Sequence, residues 1–305
     1  MQPISIIIPT YNNENTIVDT IKSVQKQVCR SWNCILVDDH SSDGTVAKIK
    51  SKIVNDERFQ LVENSTNRGA NFCRNIGLEL SKDDFLIFLD GDDILYPNCI
   101  ETRGSFLKGR GDVDMLVSQT SYFKDDIHNV IEVFRNSEMD NNKEKLIVSF
   151  LKHEIIWTTT AVTWNRTFLV KIQGWNEDYP RLQDVELNIR ALIESPVIAF
   201  TGRTDSYLRK SEFTQAKRVA AFWGFTKLIS SFYGRLMAST DDEKMLSDYS
   251  DAFQHLIQMI IKYYFLDANN YNEDMKAYFL KTIHMILDEA SYAQIFEALS
   301  LLSAD

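Results

Sequence analysis

Ile4-Ser5-Ile6-Ile7-Ile8-Pro9-Thr10-Tyr11-Asn12 and Phe85-Leu86-Ile87-Phe88-Leu89-Asp90-Gly91-Asp92-Asp93 share one form: a continuous apolar run that ends abruptly in polar groups. Cys34-Ile35-Leu36-Val37 has the same form, with Asp38-Asp39-His40-Ser41-Ser42-Asp43-Gly44 behind it, and Phe59-Gln60-Leu61-Val62 is a fourth such run. Apolar runs of this length suit parallel strands covered on both faces. Pro9 is expected to stop the first strand. The intervals carry helical spacing: Ile17, Ile21 and Val24, then Val46, Ile49 and Ile53, then Cys73, Ile76, Gly77 and Leu80. A βαβαβαβ order predicts a doubly wound, Rossmann-like parallel sheet of the α/β class. Ligands of such sheets bind outside the carboxyl ends of the strands, which is where the polar clusters fall.

Further along, the pattern is mixed. Met115-Leu116-Val117, Val130-Ile131-Glu132-Val133 and Val197-Ile198-Ala199-Phe200 read as strands, and Leu182 to Ile193 as a helix with Leu182, Val185, Ile189 and Leu192 on one face. From Ser211 onward the signals are helical, with Met245, Tyr249, Phe253, Leu256, Ile260 and Tyr264 in one stripe. The expected division is a catalytic domain over 1–210, with ligand binding in 1–110 and the acceptor side in 111–210, followed by a helical appendage over 211–305.

Composition narrows the function. The formal net charge of −10 argues against general nucleic-acid binding, which needs a basic surface. Cys29, Cys34, Cys73 and Cys99 form no CxxC pair and no zinc spacing, as expected of reduced thiols. The N-terminal stretch lacks a basic region followed by a long apolar one, and no later run reaches membrane-spanning length. A cytoplasmic protein is expected, with the inner face of the membrane as a further possibility.

Three polar clusters carry chemistry. In extended chain, Asp90 and Asp92 point to one side, and Gly91 lets the backbone approach a ligand. Clustered carboxylates repel unless a cation or donor groups neutralise them, and Mg²⁺ or Mn²⁺ shared with phosphate does so. A solvated Asp/Gly turn is the bland alternative. Ser42 or Asp43 suits a helix cap. That leaves Asp38 and Asp39 to be explained, and a carboxylate there would accept hydrogen bonds from a base or a ribose. Asn67-Arg68-Gly69 permits a tight turn before a helix, and Arg68 or Arg74 suits a phosphate.

In order and spacing, Pro9-Thr10-Tyr11-Asn12, Val37-Asp38-Asp39 with Ser42-Asp43-Gly44-Thr45, Asn67-Arg68-Gly69 with Arg74-Asn75, and Leu89-Asp90-Gly91-Asp92-Asp93 resemble glycosyltransferase family 2. The resemblance covers roughly the first two-thirds of the chain. It implies the GT-A fold, inversion at the anomeric carbon, a nucleoside-diphosphate sugar donor, and Mn²⁺ or Mg²⁺. By the same resemblance, Thr10, Tyr11, Asn12 and Glu14 fall on the first nucleotide loop. Asp39 falls on the carboxylate that reads the base, usually uracil, with Asn67 and Gly69 beside it. Arg74 falls near the diphosphate. Asp90, Gly91 and Asp92 form the DxD element, and Asp92 and Asp93 straddle ribose and metal. The family's base lies in a motif matched by Gln183-Asp184-Val185-Glu186-Leu187, which makes Asp184 the base, although Gln183 replaces the commoner glutamate. Trp175 and Gln183 are acceptor-side candidates, Trp175 either stacking on a sugar or packing in the core.

Sugar nucleotidyl transfer and non-catalytic nucleotide-sugar binding are the alternatives. The first lacks its Gly-rich phosphate loop after strand one, and the second does not call for both Asp184 and the acidic cluster. The resemblance implies a glycan or lipid-linked glycan acceptor in cell-envelope polysaccharide synthesis. Lys217, Arg218, Lys227 and Arg235 alternate with Phe222, Trp223, Phe225, Phe232 and Tyr233. That mixture suits either peripheral membrane contact or a helix packed on its own core.

Overall fold

The computed structural model describes residues 1–305 except 125, 126, 128, 129, 135–140, 155, 211, 213, 267–270 and 302–305. The strands are β1 (Ile4–Thr10), β2 (Trp32–Asp38), β3 (Phe59–Glu63), β4 (Phe85–Phe88), β5 (Ile94–Leu95), β6 (Met115–Phe123), β7 (Val130–Phe134), β8 (Val162–Asn165) and β9 (Ile198–Arg209). The helices are α1 (Ile17–Gln25), α2 (Thr45–Ile53), α3 (Ala70–Leu80), α4 (Cys99–Phe106), α5 (Lys143–Leu151), α6 (Arg166–Lys171), α7 (Gln183–Ile193), α8 (Gln215–Met237), α9 (Glu243–Ile260), α10 (Glu273–His284) and α11 (Glu289–Leu301).

The chain divides into two compact units, Met1–Asn141 with Ile156–Glu177 and Arg190–Glu212, and Asn142–Ile155 with Asp178–Ile189 and Phe213–Asp305. This differs from a single cut after residue 210. Helix α5 buries Leu146, Ile147, Phe150 and Leu151 and packs on α9, so its apolar face belongs to the helical unit although its sequence lies inside the first.

The first unit holds one sheet in the order β3-β2-β1-β4-β8-β6-β9-β5, with β7 on β6. The first four strands are all parallel, as the apolar runs of β1, β2 and β4 lead one to expect, with the partly exposed β3 at the sheet edge, and the rest are mixed: β8 is antiparallel to β4 and β6, and β9 is parallel to β6. Every residue of β1 is buried, Pro9 included. Pro9 does not end the strand. The β4 ladder stops at Ile7–Phe88, so its missing N–H costs no ladder bond on that side. Gly77 of α3 allows close packing on β1, because a Cβ there would collide with the side chain of Ile7. Arg103 of α4 forms a fully buried ion pair with Asp205 of β9 at 2.6 Å and also donates to the Thr160 carbonyl at 2.9 Å.

In the second unit, α8 packs on α9 and α10. Thr214, Asp242 and Asn272 cap α8, α9 and α10 through their side chains. Phe222 meets the rings of Tyr264, Phe265 and Phe279, while Phe225, Ile229, Phe232 and Leu236 are buried with it. Of the two readings of α8, core packing fits Phe222, Phe225 and Phe232, which are buried, while Trp223 and Tyr233 are half-buried. Among the described residues no helix is long and apolar enough to cross a membrane.

Candidate active site

The loops after β1 and β2 are stitched together. Thr10, at the end of β1, donates to Asp38 at 3.0 Å, and Asp38 also accepts from the amide and hydroxyl of Ser41. Asn12 adopts φ 52°, and its side-chain oxygen accepts from the Ser42 amide at 2.9 Å. Glu14 accepts from the Gly44 amide at 2.7 Å, where any Cβ would crowd the carboxylate. Asn12 and Glu14 therefore tie the loop after β1 to the loop after β2. Tyr11 on the same loop is 49% exposed and carries an aromatic ring of the kind that lies against a planar base. Asp43 accepts from the Thr45 amide at 3.0 Å, but Gly44 holds the cap position of α2, so neither Ser42 nor Asp43 is that cap.

Asp39 is buried and accepts from the Asn64 amide group at 3.1 Å and from the backbone amides of Arg68 and Gly69 at 2.9 and 2.6 Å. It fixes the turn before α3, where Gly69 takes φ 91°, a conformation glycine adopts without a Cβ clash. Asn67 on that turn is exposed. Burial, aided by the charge of Asp39, raises the Cys73 thiol to about 12, so it is no nucleophile.

The loop after β4 is held from three sides. Gly91 fits because a Cβ would meet Asn13 at 2.8 Å and the Pro9 carbonyl at 3.3 Å, and its own carbonyl accepts from Thr16. Arg74 of α3 pairs with Asp90 at 2.8 Å and donates to Asn71 at 2.9 Å. Arg209, at the end of β9, donates its amide to Asp93 at 2.9 Å and its Nε to the Asp92 carbonyl at 3.1 Å. Sequence reasoning missed Arg209 and Asn71. Neither carries a local motif, and Arg209 reaches the loop only through the sheet.

The three acids thus separate. Asp93 is buried, and desolvation, reinforced by Asp92 and Asp90, holds its carboxyl well above the ordinary carboxylate range. Asp93 thus anchors the loop through the Arg209 amide, and Asp90 and Asp92 are the more accessible of the three acids. Asp90 and Asp92 are only half-buried. Among the described residues no group of three or more His, Cys, Asp or Glu could cage a metal alone. Two oxygen ligands with the remainder supplied by phosphates is nevertheless how Mg²⁺ is commonly held, and the donor set fits that chemistry.

Trp175 is 3% exposed, set edge-on against Phe88 at 5.1 Å with Arg74 4.4 Å from its ring centre. Its acceptor-stacking role is corrected: the ring is core, and it supports Arg74. Asn71 and Asn75 of α3 fasten its neighbourhood by donating to the carbonyls of Asn176 and Trp175.

In the second unit, Asp184 lies in the first turn of α7, one residue inside the helix, rather than at its cap. Its carboxylate accepts from the Val185 amide at 3.0 Å, and a carboxylate there complements the positive end of the helix. Gln183 donates to the Tyr179 carbonyl at 3.1 Å. Burial lowers the pKa of His153, while the nearby Asp184 opposes that shift.

The model of the family described as Glycosyl transferase family 2 matches residues 5–166. A poly(ribitol-phosphate) β-N-acetylglucosaminyltransferase, TarP of Staphylococcus aureus, is 32% identical over 173 residues, 48% of this chain and 52% of that protein. An Escherichia coli UDP-Glc:α-D-GlcNAc-diphosphoundecaprenol β-1,3-glucosyltransferase, WfgD, is 39% identical over 104 residues, 34% of this chain and 40% of that protein. The matches thus span about half, or less, of these relatives. The crystal structure of S. aureus TarS 1–349 with UDP-GlcNAc superposes with a TM-score of 0.65 at 16% identity, covering 92% of this chain and 79% of that one. The mannosyltransferase PcManGT of Pyrobaculum calidifontis, solved with GDP-Man and Mn²⁺, gives 0.57 at 14% identity, covering 99% and 85%. At such identities these structures show the fold.

Proposed function

The chain belongs to glycosyl transferase family 2, and we propose on that premise that it moves a sugar, with inversion, from a UDP-sugar to a hydroxyl of a glycan or lipid-linked glycan. The observation that carries this reading is the convergence of three cross-linked loops at the carboxyl ends of β1, β2 and β4. They present Tyr11, Asp39 and the Asp90–Asp92 pair, with Arg74 bound to Asp90. Tyr11 lies against the base and Asp39 aligns the turn beside it. Arg74 acts as a positioning residue that holds Asp90. Asp90 and Asp92 would hold a divalent cation together with the donor diphosphate. When bound, that cation offsets the charge building on the leaving diphosphate. Asp184 takes the proton from the attacking hydroxyl, which becomes acidic only as the new bond forms.

The UDP preference is supported by the UDP-GlcNAc bound to TarS and by the UDP-Glc named for WfgD, and the Mn²⁺ of PcManGT supports the cation. The acceptors named for TarP and WfgD support a role in cell-envelope polysaccharide synthesis. The test is release of UDP from UDP-GlcNAc or UDP-Glc with Mn²⁺, compared with the Asp184→Asn protein. Equal UDP release by the Asp184→Asn protein in the presence of a competent acceptor removes the base assignment.

A further inference from the structure

Arg209 reaches the acid loop from the far half of the sheet. Strand β8 is antiparallel to β4 and to β6, so β6 runs parallel to β4, and β9 runs parallel to β6. The carboxyl end of β9 therefore lies at the same sheet edge as those of β1, β2 and β4. Along that edge the order is Asp39 after β2, Tyr11 after β1, Asp90 and Asp92 after β4, and then Arg209 at the end of β9. All of them belong to the first unit.

The contacts bring the guanidinium itself, and not only the backbone, to the loop. The Arg209 amide donates to Asp93 at 2.9 Å, and Nε donates to the Asp92 carbonyl at 3.1 Å. Phe123 stands in register with Arg209 on β6, its ring centre 4.6 Å from the guanidinium. Phe123 is buried and Arg209 half-buried. A side chain held at Nε and along one face is ordered before a ligand arrives, so it loses little freedom on binding. Clasping the loop uses the amide and Nε. Among the described residues neither Nη nitrogen has a hydrogen bond or an ion pair. A planar fork of N–H donors beside the half-buried Asp90 and Asp92 suits phosphate, which it can meet through two bonds.

Resting on the glycosyl-transfer reading, we propose that Arg209 binds the terminal phosphate of the donor diphosphate through Nη1 and Nη2. With the base at the Tyr11 end of the edge, a diphosphate running past Asp90 and Asp92 meets Arg209 with its second phosphate rather than its first. In the transfer, the bond between the anomeric carbon and the terminal phosphate oxygen breaks, and its electron pair stays on that oxygen. The acceptor oxygen takes the carbon, and the acceptor proton passes to the general base. Charge therefore grows on the phosphate that Arg209 touches, and a fixed positive group there favours its departure.

Calorimetric titration of the whole protein with UDP and with UMP, each at two Mn²⁺ concentrations, reads the contact, because UMP lacks the terminal phosphate. Arg209→Gln should lose about tenfold or more in UDP affinity and keep its UMP affinity. Arg209→Lys keeps the charge without the fork and should recover part of the loss. Melting curves confirm folding, and if Arg209→Gln does not fold, a loss for UDP but not for UMP in Arg209→Lys carries the comparison. Equal weakening of UDP and UMP, or undiminished UDP affinity, means that Arg209 serves the loop alone and overturns the proposal. A loss of UDP affinity that the higher Mn²⁺ concentration restores belongs to the cation site and overturns it as well. Failure of UDP to bind the native chain overturns the donor reading itself.

Discussion

Replacing Arg74 by Met keeps the length of the side chain against Trp175 and removes the guanidinium. Arg74 is 6% exposed and its partner Asp90 38% exposed. A hydrogen bond to a charged group contributes about 1.5–3 kcal/mol, but the exposure of Asp90 reduces this to about 1. The bond that the guanidinium donates to the Asn71 side chain adds about 1 kcal/mol, and the cation–ring contact with Trp175 about 0.5–1. The sum is about 2–3 kcal/mol, or a fall in melting temperature of roughly 4–10 °C for the first unit. Releasing Asp90 also loosens the cation-binding pair, so UDP-Mn²⁺ affinity should weaken about tenfold or more. Arg74→Lys retains charge without the planar fork and should recover only part of both losses. Thermal melts and calorimetric titration with UDP read the two effects. Unchanged melting and unchanged UDP affinity in Arg74→Met would refute the positioning role.

Asp93→Asn should leave Mn²⁺-dependent UDP binding intact, whereas Asp92→Ala should remove it; the reverse pattern in calorimetry makes Asp93 the ligand. Because the folded pKa of Asp93 is raised, its stabilising contribution is fully present below the ordinary carboxylate range and is lost as pH rises towards that folded value. The Asp93→Asn protein should therefore gain stability relative to the native chain as pH rises from about 4 upward, and a gap in melting temperature independent of pH would contradict this. Asp184→Asn should lower transfer about 10²–10⁴-fold with donor affinity retained, as steady-state rates and titration together would show. Asp205→Asn breaks the buried pair with Arg103 and should cost about 3–5 kcal/mol in denaturant unfolding; a cost under about 1 kcal/mol would mean the pair is not buried in solution.

The half of the fold made of β1 to β4 was legible because buried parallel strands need unbroken apolar runs, and no other element of this length reads so. Strand β9 was legible only over its first residues. Thr201, Gly202, Arg203 and Asp205 break the apolar pattern, and Asp205 is tolerated inside the sheet only because Arg103, 102 positions earlier, neutralises it. The acidic loop was legible as a cluster, but its division of labour was not. Asp90, Asp92 and Asp93 look alike in sequence, and only the Arg74 contact and the burial beneath Arg209 separate them. Trp175 was ambiguous for the same reason: a tryptophan serves a core and a sugar equally well until its exposure is known. A glycine inside a helix such as Gly224 of α8 is ordinarily a weak point. The structure gives it a purpose, since a Cβ would stand 2.7 Å from the Arg181 carbonyl.

Calorimetric titration of the chain with UDP, in Mn²⁺ and again in EDTA, decides whether the three loops form a metal-dependent nucleotide site. Saturable binding in Mn²⁺ should appear, and it should vanish both in EDTA and in the Asp92→Ala protein. Binding of the same strength in EDTA, or none to UDP under either condition, would contradict the donor site described above.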